Sequence, residues 1–146
     1  MDTAVITTTP DVPITLAPHL PRVLIVDDCD DARDSLCILL QLLGHACATA
    51  PNAAAALKAA SDFHPDVVIM DIALPGANGY EVARLLRNLP GLSGVKIIAM
   101  TGYGHDKDAQ RSREAGFVAH LVKPADPVAL QTLLERFGSA PVSVAV

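Results

Sequence analysis

Five polar residues of this chain stand at the ends of short apolar runs: Asp27 and Asp28 after VLIV, Asp71 after VVIM, Thr101 after IIAM and Lys123 after HLV. A carboxylate beside a buried segment costs free energy unless its charge is compensated. Carboxylates gathered in one crevice also repel one another. A hard divalent cation relieves that repulsion, and oxygen ligands of this kind suit Mg²⁺, which keeps several waters and often binds through one or two carboxylates plus a phosphate. Lys123 adds a positive charge and Thr101 a hydroxyl donor. The set matches a phosphoryl group. Asp71 can attack phosphorus as a carboxylate nucleophile and form an acyl phosphate. The cation and Lys123 would neutralise the phosphoryl oxygens, and Thr101 would hydrogen-bond one of them. None of the five is suited to activate an alcohol or an amide-cleaving water.

These residues meet only if the runs between them fold in a particular way. Residues 22–26, 46–50, 67–71, 95–100 and 117–122 are short, apolar and rich in β-branched residues, and are read as strands. Near-continuous apolarity, as in Val67, Val68, Ile69 and Met70, marks a strand buried on both faces of a parallel sheet. Helical spacing fills the gaps. Leu36, Leu39, Leu40 and Leu43 follow the i, i+3, i+4, i+7 rule, as do Leu130, Leu133, Leu134 and Phe137. Further helices are expected from Asn52 through Ala60, from Asn78 to Leu89 with Val82, Leu85, Leu86 and Leu89 on one face, and over 106–115. The helix over 106–115 has few strongly apolar residues and should be the most loosely held. Five strands alternating with five helices imply an α/β fold, a doubly wound parallel sheet of one domain, with right-handed crossovers. The strand carboxyl ends then share one edge, where open sheets of this kind bind ligands.

The bulk composition narrows the function classes. A chain of 146 residues, 51% of them apolar, can bury a core as one domain. Residues 1–21 are Thr- and Pro-rich and read as a flexible leader, 22–137 as the domain and 138–146 as a tail. A net charge of −5 without a basic stripe argues against direct DNA binding. No run approaches a membrane span, and no secretory signal stands at the start, so a cytoplasmic location is expected. Cys29, Cys37 and Cys47 fit no zinc spacing and read as reduced thiols, the latter two in the core.

The motifs VLIVDD, VVIMDIALPGANGYEV, IIAMTGYG and HLVKP occur in an order and spacing that resemble the receiver domains of two-component response regulators, with the flavodoxin-like fold of the chemotaxis regulator CheY. The resemblance covers residues 22–137. It implies that Asp71 is the phosphoacceptor. It implies a Mg²⁺ site built from Asp27, Asp28, Asp71 and the backbone carbonyl of Ala73, with Asp28 the more direct ligand of the first pair. Thr101 would be the switch hydroxyl, Lys123 the phosphate-binding cation, and the Lys123–Pro124 peptide cis. A histidine kinase or histidine phosphotransfer protein would donate the phosphoryl group. The helix over 106–115, the fifth strand and the last helix would form the responding face, which meets a partner protein or a second copy, so that the chain is a monomer or a phosphorylation-dependent dimer. Residues 138–146 leave no room for an output domain, so the expected output is another protein, or a role as relay intermediate or phosphate sink.

Three positions bear on how closely the chain follows the family pattern. Three residues before Lys123 the family carries Tyr or Phe, and this chain has His120. His120 is expected to turn as that ring does or to lie on the surface. Ala73 and Tyr103 stand where the family tunes hydrolysis of the acyl phosphate. Ala73 cannot orient a water and Tyr103 would shield the phosphorus, so slow self-dephosphorylation is expected. A Mg²⁺-dependent phosphohydrolase would need a second acid just after Asp71, where Ile72 and Ala73 stand. A nucleotide-binding domain would need a glycine-rich run after the first strand, which is absent. A degenerate receiver serving only as a docking module would have lost site residues, and all five are present.

Overall fold

In the computed structural model, which describes residues 20–102 and 116–137, the elements are β1 (Val23–Val26), α1 (Asp30–Leu42), β2 (Cys47–Ala50), α2 (Ala53–Phe63), β3 (Val67–Asp71), α3 (Gly79–Arg87), β4 (Lys96–Thr101), β5 (Phe117–Val122) and α4 (Pro127–Phe137). The five strands form one parallel sheet in the order β2-β1-β3-β4-β5. This is the doubly wound α/β arrangement that the alternation of elements implies. The leader up to residue 19, the helix expected over 106–115, Tyr103 and the tail from 138 lie outside the described residues.

Side chains of the central strands alternate between two apolar layers. Leu24, Val26, Val68, Met70, Ile97 and Ala99 meet Ala56 and Ala60 of α2 and Val82, Ala83 and Leu86 of α3. Val23, Ile25, Val67, Ile69, Ile98 and Met100 meet Leu36 and Leu40 of α1 and Leu130 and Leu134 of α4. A strand covered on both faces has no polar position to spare, which is why its sequence is apolar throughout. Each fully buried aliphatic side chain contributes about 1.5–3 kcal/mol, so both the sheet and its helical layers are firmly held behind the carboxyl edge.

Local chemistry sets the helix boundaries. Asn52, Asn78 and Asp126 each cap a helix by accepting a backbone N–H, from Ala55 (2.8 Å), Tyr80 (2.9 Å) and Ala129 (2.9 Å). Helix α2 continues three residues past the expected Ala60 to Phe63 and ends where His64 adopts a left-handed conformation (φ 53°). The Arg22 guanidinium lies 4.1 Å from the Phe63 ring centre and donates to its carbonyl at 2.8 Å, which fixes that added turn to the start of β1.

Two residues assigned to buried helical faces are in fact exposed. Leu43 is the C-cap of α1, where the helix ends and no further turn covers it, and it is 39% exposed. Leu85 is 46% exposed because the buried stripe of α3 runs through Val82, Ala83 and Leu86, one residue round from the expected face. Cys37 and Cys47 are half-buried against the α1/α4 layer, and Cys29 is exposed.

Candidate functional site

Parallel register brings the polar strand ends together. Asp27 follows β1 directly, its N–H still bonded to Ala50 O at 3.1 Å. Asp71 is the last residue of β3 and pairs with Met100 of β4, and Thr101, the next residue, pairs with Val122 of β5. Lys123 then leaves β5 with its N–H on Thr101 O at 2.7 Å. Asp27, Asp71 and Thr101 are buried, whereas Asp28 is exposed at the rim. Strand β5 lies two places from β3, about 10 Å away at the usual strand spacing. The four-carbon stem of a lysine spans that gap and carries its ammonium back to the carboxylates.

Lys123 Nζ lies 2.6 Å from Asp71 Oδ2 and 3.3 Å from Asp27 Oδ2. The Ala73 N–H donates to Asp71 Oδ1 at 2.8 Å, and the Cys29 N–H donates to Asp27 Oδ1 at 3.0 Å. Both buried carboxylates are thus oriented by a backbone donor and partly neutralised by one ammonium. Burial draws Lys123 toward the neutral form, but the hydrogen bond and charge of Asp71, reinforced by Asp27, outweigh it and raise its pKa above the ordinary lysine value. The Lys123–Pro124 peptide is cis. A mostly apolar cleft of about 370 Å³ opens beside Lys123, between Leu36 and Leu39 of α1 and Pro124 and Ala125 of the β5–α4 turn, with Asp27 in its wall.

Asp27, Asp28 and Asp71 each offer a carboxylate oxygen, and these oxygens lie within 4.8 Å of one another. Three hard anionic donors at that separation, one facing solvent, fit a small divalent cation that retains part of its water shell. His120 is exposed on β5, its ring centre 6.5 Å from that of Phe117, which in turn meets Tyr80 edge-on at 5.8 Å.

One residue beside the site escapes a reading of the sequence. Arg33, on the first turns of α1, donates from one terminal nitrogen to the backbone carbonyl of Asp27 (3.1 Å) and from the other to Asp30 Oδ1 (2.7 Å). Its side chain is 13% exposed. The only trace in the sequence is its place six residues after Asp27, within the helix that follows the loop.

The profile of the response regulator receiver domain matches residues 23–135. This chain belongs to that family, and the sheet order and acidic edge described above are those of its CheY-like fold. It is 32% identical over 120 residues to protein PilH of Pseudomonas aeruginosa, covering 82% of this chain and 97% of PilH. It is 35% identical over 115 residues to an uncharacterised 14.6 kDa protein of Leptolyngbya boryana, covering 79% and 88% of the two chains. Against two transcriptional regulatory proteins, AfsQ1 of Streptomyces coelicolor and PhoB of Pseudomonas aeruginosa, it spans about half of their length, 45% and 57%. Chemotaxis protein CheY4 of Vibrio cholerae superposes with a TM-score of 0.76 at 28% identity, over 82% of this chain and 99% of that one. The receiver domain of sensor histidine kinase PA1611 of Pseudomonas aeruginosa, solved with a magnesium ion coordinated in its active-site cleft, superposes with a TM-score of 0.71 at 27% identity, over 80% and 96%. Receivers are signalling proteins of two-component systems rather than classical enzymes. Among the described residues no helix is long and apolar enough to cross a membrane.

Proposed function

We propose that this chain is a receiver whose Asp71 accepts a phosphoryl group from a histidine kinase or histidine phosphotransfer protein. The observation that carries the reading is the Asp71 carboxylate, buried at a strand end, 2.6 Å from the Lys123 ammonium and grouped with Asp27 and Asp28. A carboxylate oxygen of Asp71 attacks phosphorus, the bond from phosphorus to the donor imidazole breaks, and that nitrogen keeps the electron pair. Lys123 moves its hydrogen bond from the carboxylate to a phosphoryl oxygen. Thr101 donates to a second. Asp27, Asp28, Asp71 and the Ala73 carbonyl would hold Mg²⁺, which when bound supplies positive charge for the remaining oxygens.

Residues 22–137 form the receiver unit in this reading. PilH and CheY4, each spanned almost end to end, favour an output carried by another protein, or relay or storage of the group, and a cytoplasmic location goes with this reading. The apolar walls of the cleft beside Lys123 suit a protein donor. Exposed His120 and Val122 on β5 belong to the face that would answer phosphorylation by meeting a partner or a second copy. Ala73 offers no polar side chain to orient a hydrolytic water, so the acyl phosphate should persist.

The test is a Mg²⁺-dependent transfer assay with labelled donor kinases and with acetyl phosphate, Asp71→Ala serving as control. Label on the wild type and none on the variant is expected, with slow loss of label after donor removal. Label retained by Asp71→Ala would place the acceptor elsewhere, and loss of label within seconds would refute the slow hydrolysis.

A further inference from the structure

The β1–α1 loop carries Asp27 and Asp28 but has no side-chain cap for the helix that follows. Cys29 occupies the N-cap position without a side-chain hydrogen bond to α1, and its own N–H is taken by Asp27 Oδ1. This three-residue loop carries two adjacent carboxylates beside the acidic first turn of α1 (Asp30 and Asp31), and like charges at this spacing repel one another. Arg33 opposes this. One terminal nitrogen holds the Asp27 carbonyl at 3.1 Å, which fixes the plane of the Asp27–Asp28 peptide. The other holds Asp30 at 2.7 Å, which fixes the guanidinium from a second direction, while Asp34, 3.8 Å from Nε, adds only charge attraction.

We infer that Arg33 is a positioning residue for the cation site: by clasping the Asp27 carbonyl it sets the direction in which Asp28 presents its carboxylate, and so raises divalent-cation affinity without touching the cation. The inference rests on the reading of Asp27, Asp28 and Asp71 as cation ligands. It makes a prediction opposite in sign to a purely electrostatic one. Arg33 is a cation beside an acidic site, so by charge alone its removal should tighten Mg²⁺ binding. If it acts by positioning, removal should weaken binding, because residues that orient metal ligands typically govern affinity by roughly tenfold or more. Only a planar fork reaches both the carbonyl and Asp30 at once, so lysine should restore only part of the affinity.

The experiment titrates Mg²⁺ into the full chain calorimetrically for wild type, Arg33→Ala and Arg33→Lys, with amide hydrogen exchange over residues 27–33 followed in metal-free protein. Arg33→Ala should raise the Mg²⁺ Kd about tenfold, Arg33→Lys should fall between, and exchange in the loop should quicken before any metal is added. A Kd unchanged or lowered in Arg33→Ala, or loop exchange equal to wild type, overturns the inference. Should Arg33→Ala lose its fold, Arg33→Lys and the wild-type titration still decide. Absence of Mg²⁺ binding by the wild type would instead refute the reading of the acidic site on which the inference rests.

Discussion

Replacing Lys123 by Met tests the electrostatics of the site most directly, because Met keeps a stem of similar bulk and removes the ammonium, its charge and its hydrogen bonds together. The ammonium faces Asp71 at 2.6 Å and Asp27 at 3.3 Å, carboxylates whose side chains are 6% and 1% exposed. At an effective dielectric of about 20 these separations correspond to gross attractions of about 6 and 5 kcal/mol. Most of that is cancelled by the desolvation of the charges. Lys123 also keeps 28% of its side chain exposed, so water screens it further. A net loss of about 2 kcal/mol at neutral pH follows, below the 3–5 kcal/mol of a fully buried broken pair. For a domain of this size that lowers Tm by roughly 5–10 °C. Urea unfolding of metal-free protein measures it. The same substitution in an Asp71→Asn background should cost about half as much, since Asp27 still needs its counter-charge. Equal costs in the two backgrounds, or a wild-type cost under about 0.5 kcal/mol, would show that Lys123 does not neutralise the buried acids.

The raised Lys123 pKa fixes a pH window. A group whose folded pKa lies above its unfolded value, about 10.4 for lysine, stabilises fully below that value and loses its contribution as pH rises through the folded pKa. The Tm difference between wild type and Lys123→Met should therefore stay constant from neutrality to about pH 9.5 and shrink only above about pH 10.4; shrinkage nearer neutrality would contradict the assignment. Gly79→Ala should destabilise by about 1–2 kcal/mol in urea, despite the better helix propensity of Ala, because the added Cβ would stand 2.8 Å from Ile72 Cα in the loop that leaves Asp71; a more stable variant would refute this. Cys29 is exposed, whereas burial and then the neighbouring Cys37 push the Cys47 thiol far above its usual range. Iodoacetamide should therefore label Cys29 first and Cys47 last, and the reverse order in a peptide map would count against the packing of α1 on β2.

The meeting of Asp27, Asp71 and Lys123 was legible because it depends on topology rather than on detail. Apolar runs alternating with helical spacing leave few arrangements, and in a parallel sheet every strand ends on the same edge. Leu43 and Leu85 were misplaced for the opposite reason. A leucine at the margin of a helical stripe faces core or solvent according to where the helix ends and how it rolls, which spacing alone does not determine. Arg33 was invisible because a charged residue on a polar helix face reads as solvated, and its carbonyl partner carries no mark in the sequence.

The position of Lys123 depends on a further feature that periodicity conceals. Strand β5 pairs Phe117 with Ile97 but Ala119 with Ile98, so one residue, Val118, is accommodated as an irregularity. Strict alternation would place Phe117 and Ala119 on the same face. Instead Phe117 packs in the α2/α3 layer, while Ala119 and Leu121 pack toward α1 and α4. The extra residue reverses the inward face within one strand and shifts the remaining register by one, so that Val122, not Leu121, pairs with Thr101. The residue that emerges next at the carboxyl edge is then Lys123. An apolar side chain there would leave Asp71 and Asp27 buried without a counter-charge, at a cost the two apolar layers are not arranged to offset. The irregularity in β5 and the charge balance of the site are therefore linked: a shift of one residue at the start of the strand determines that Lys123 is the residue reaching the carboxyl edge beside the acids.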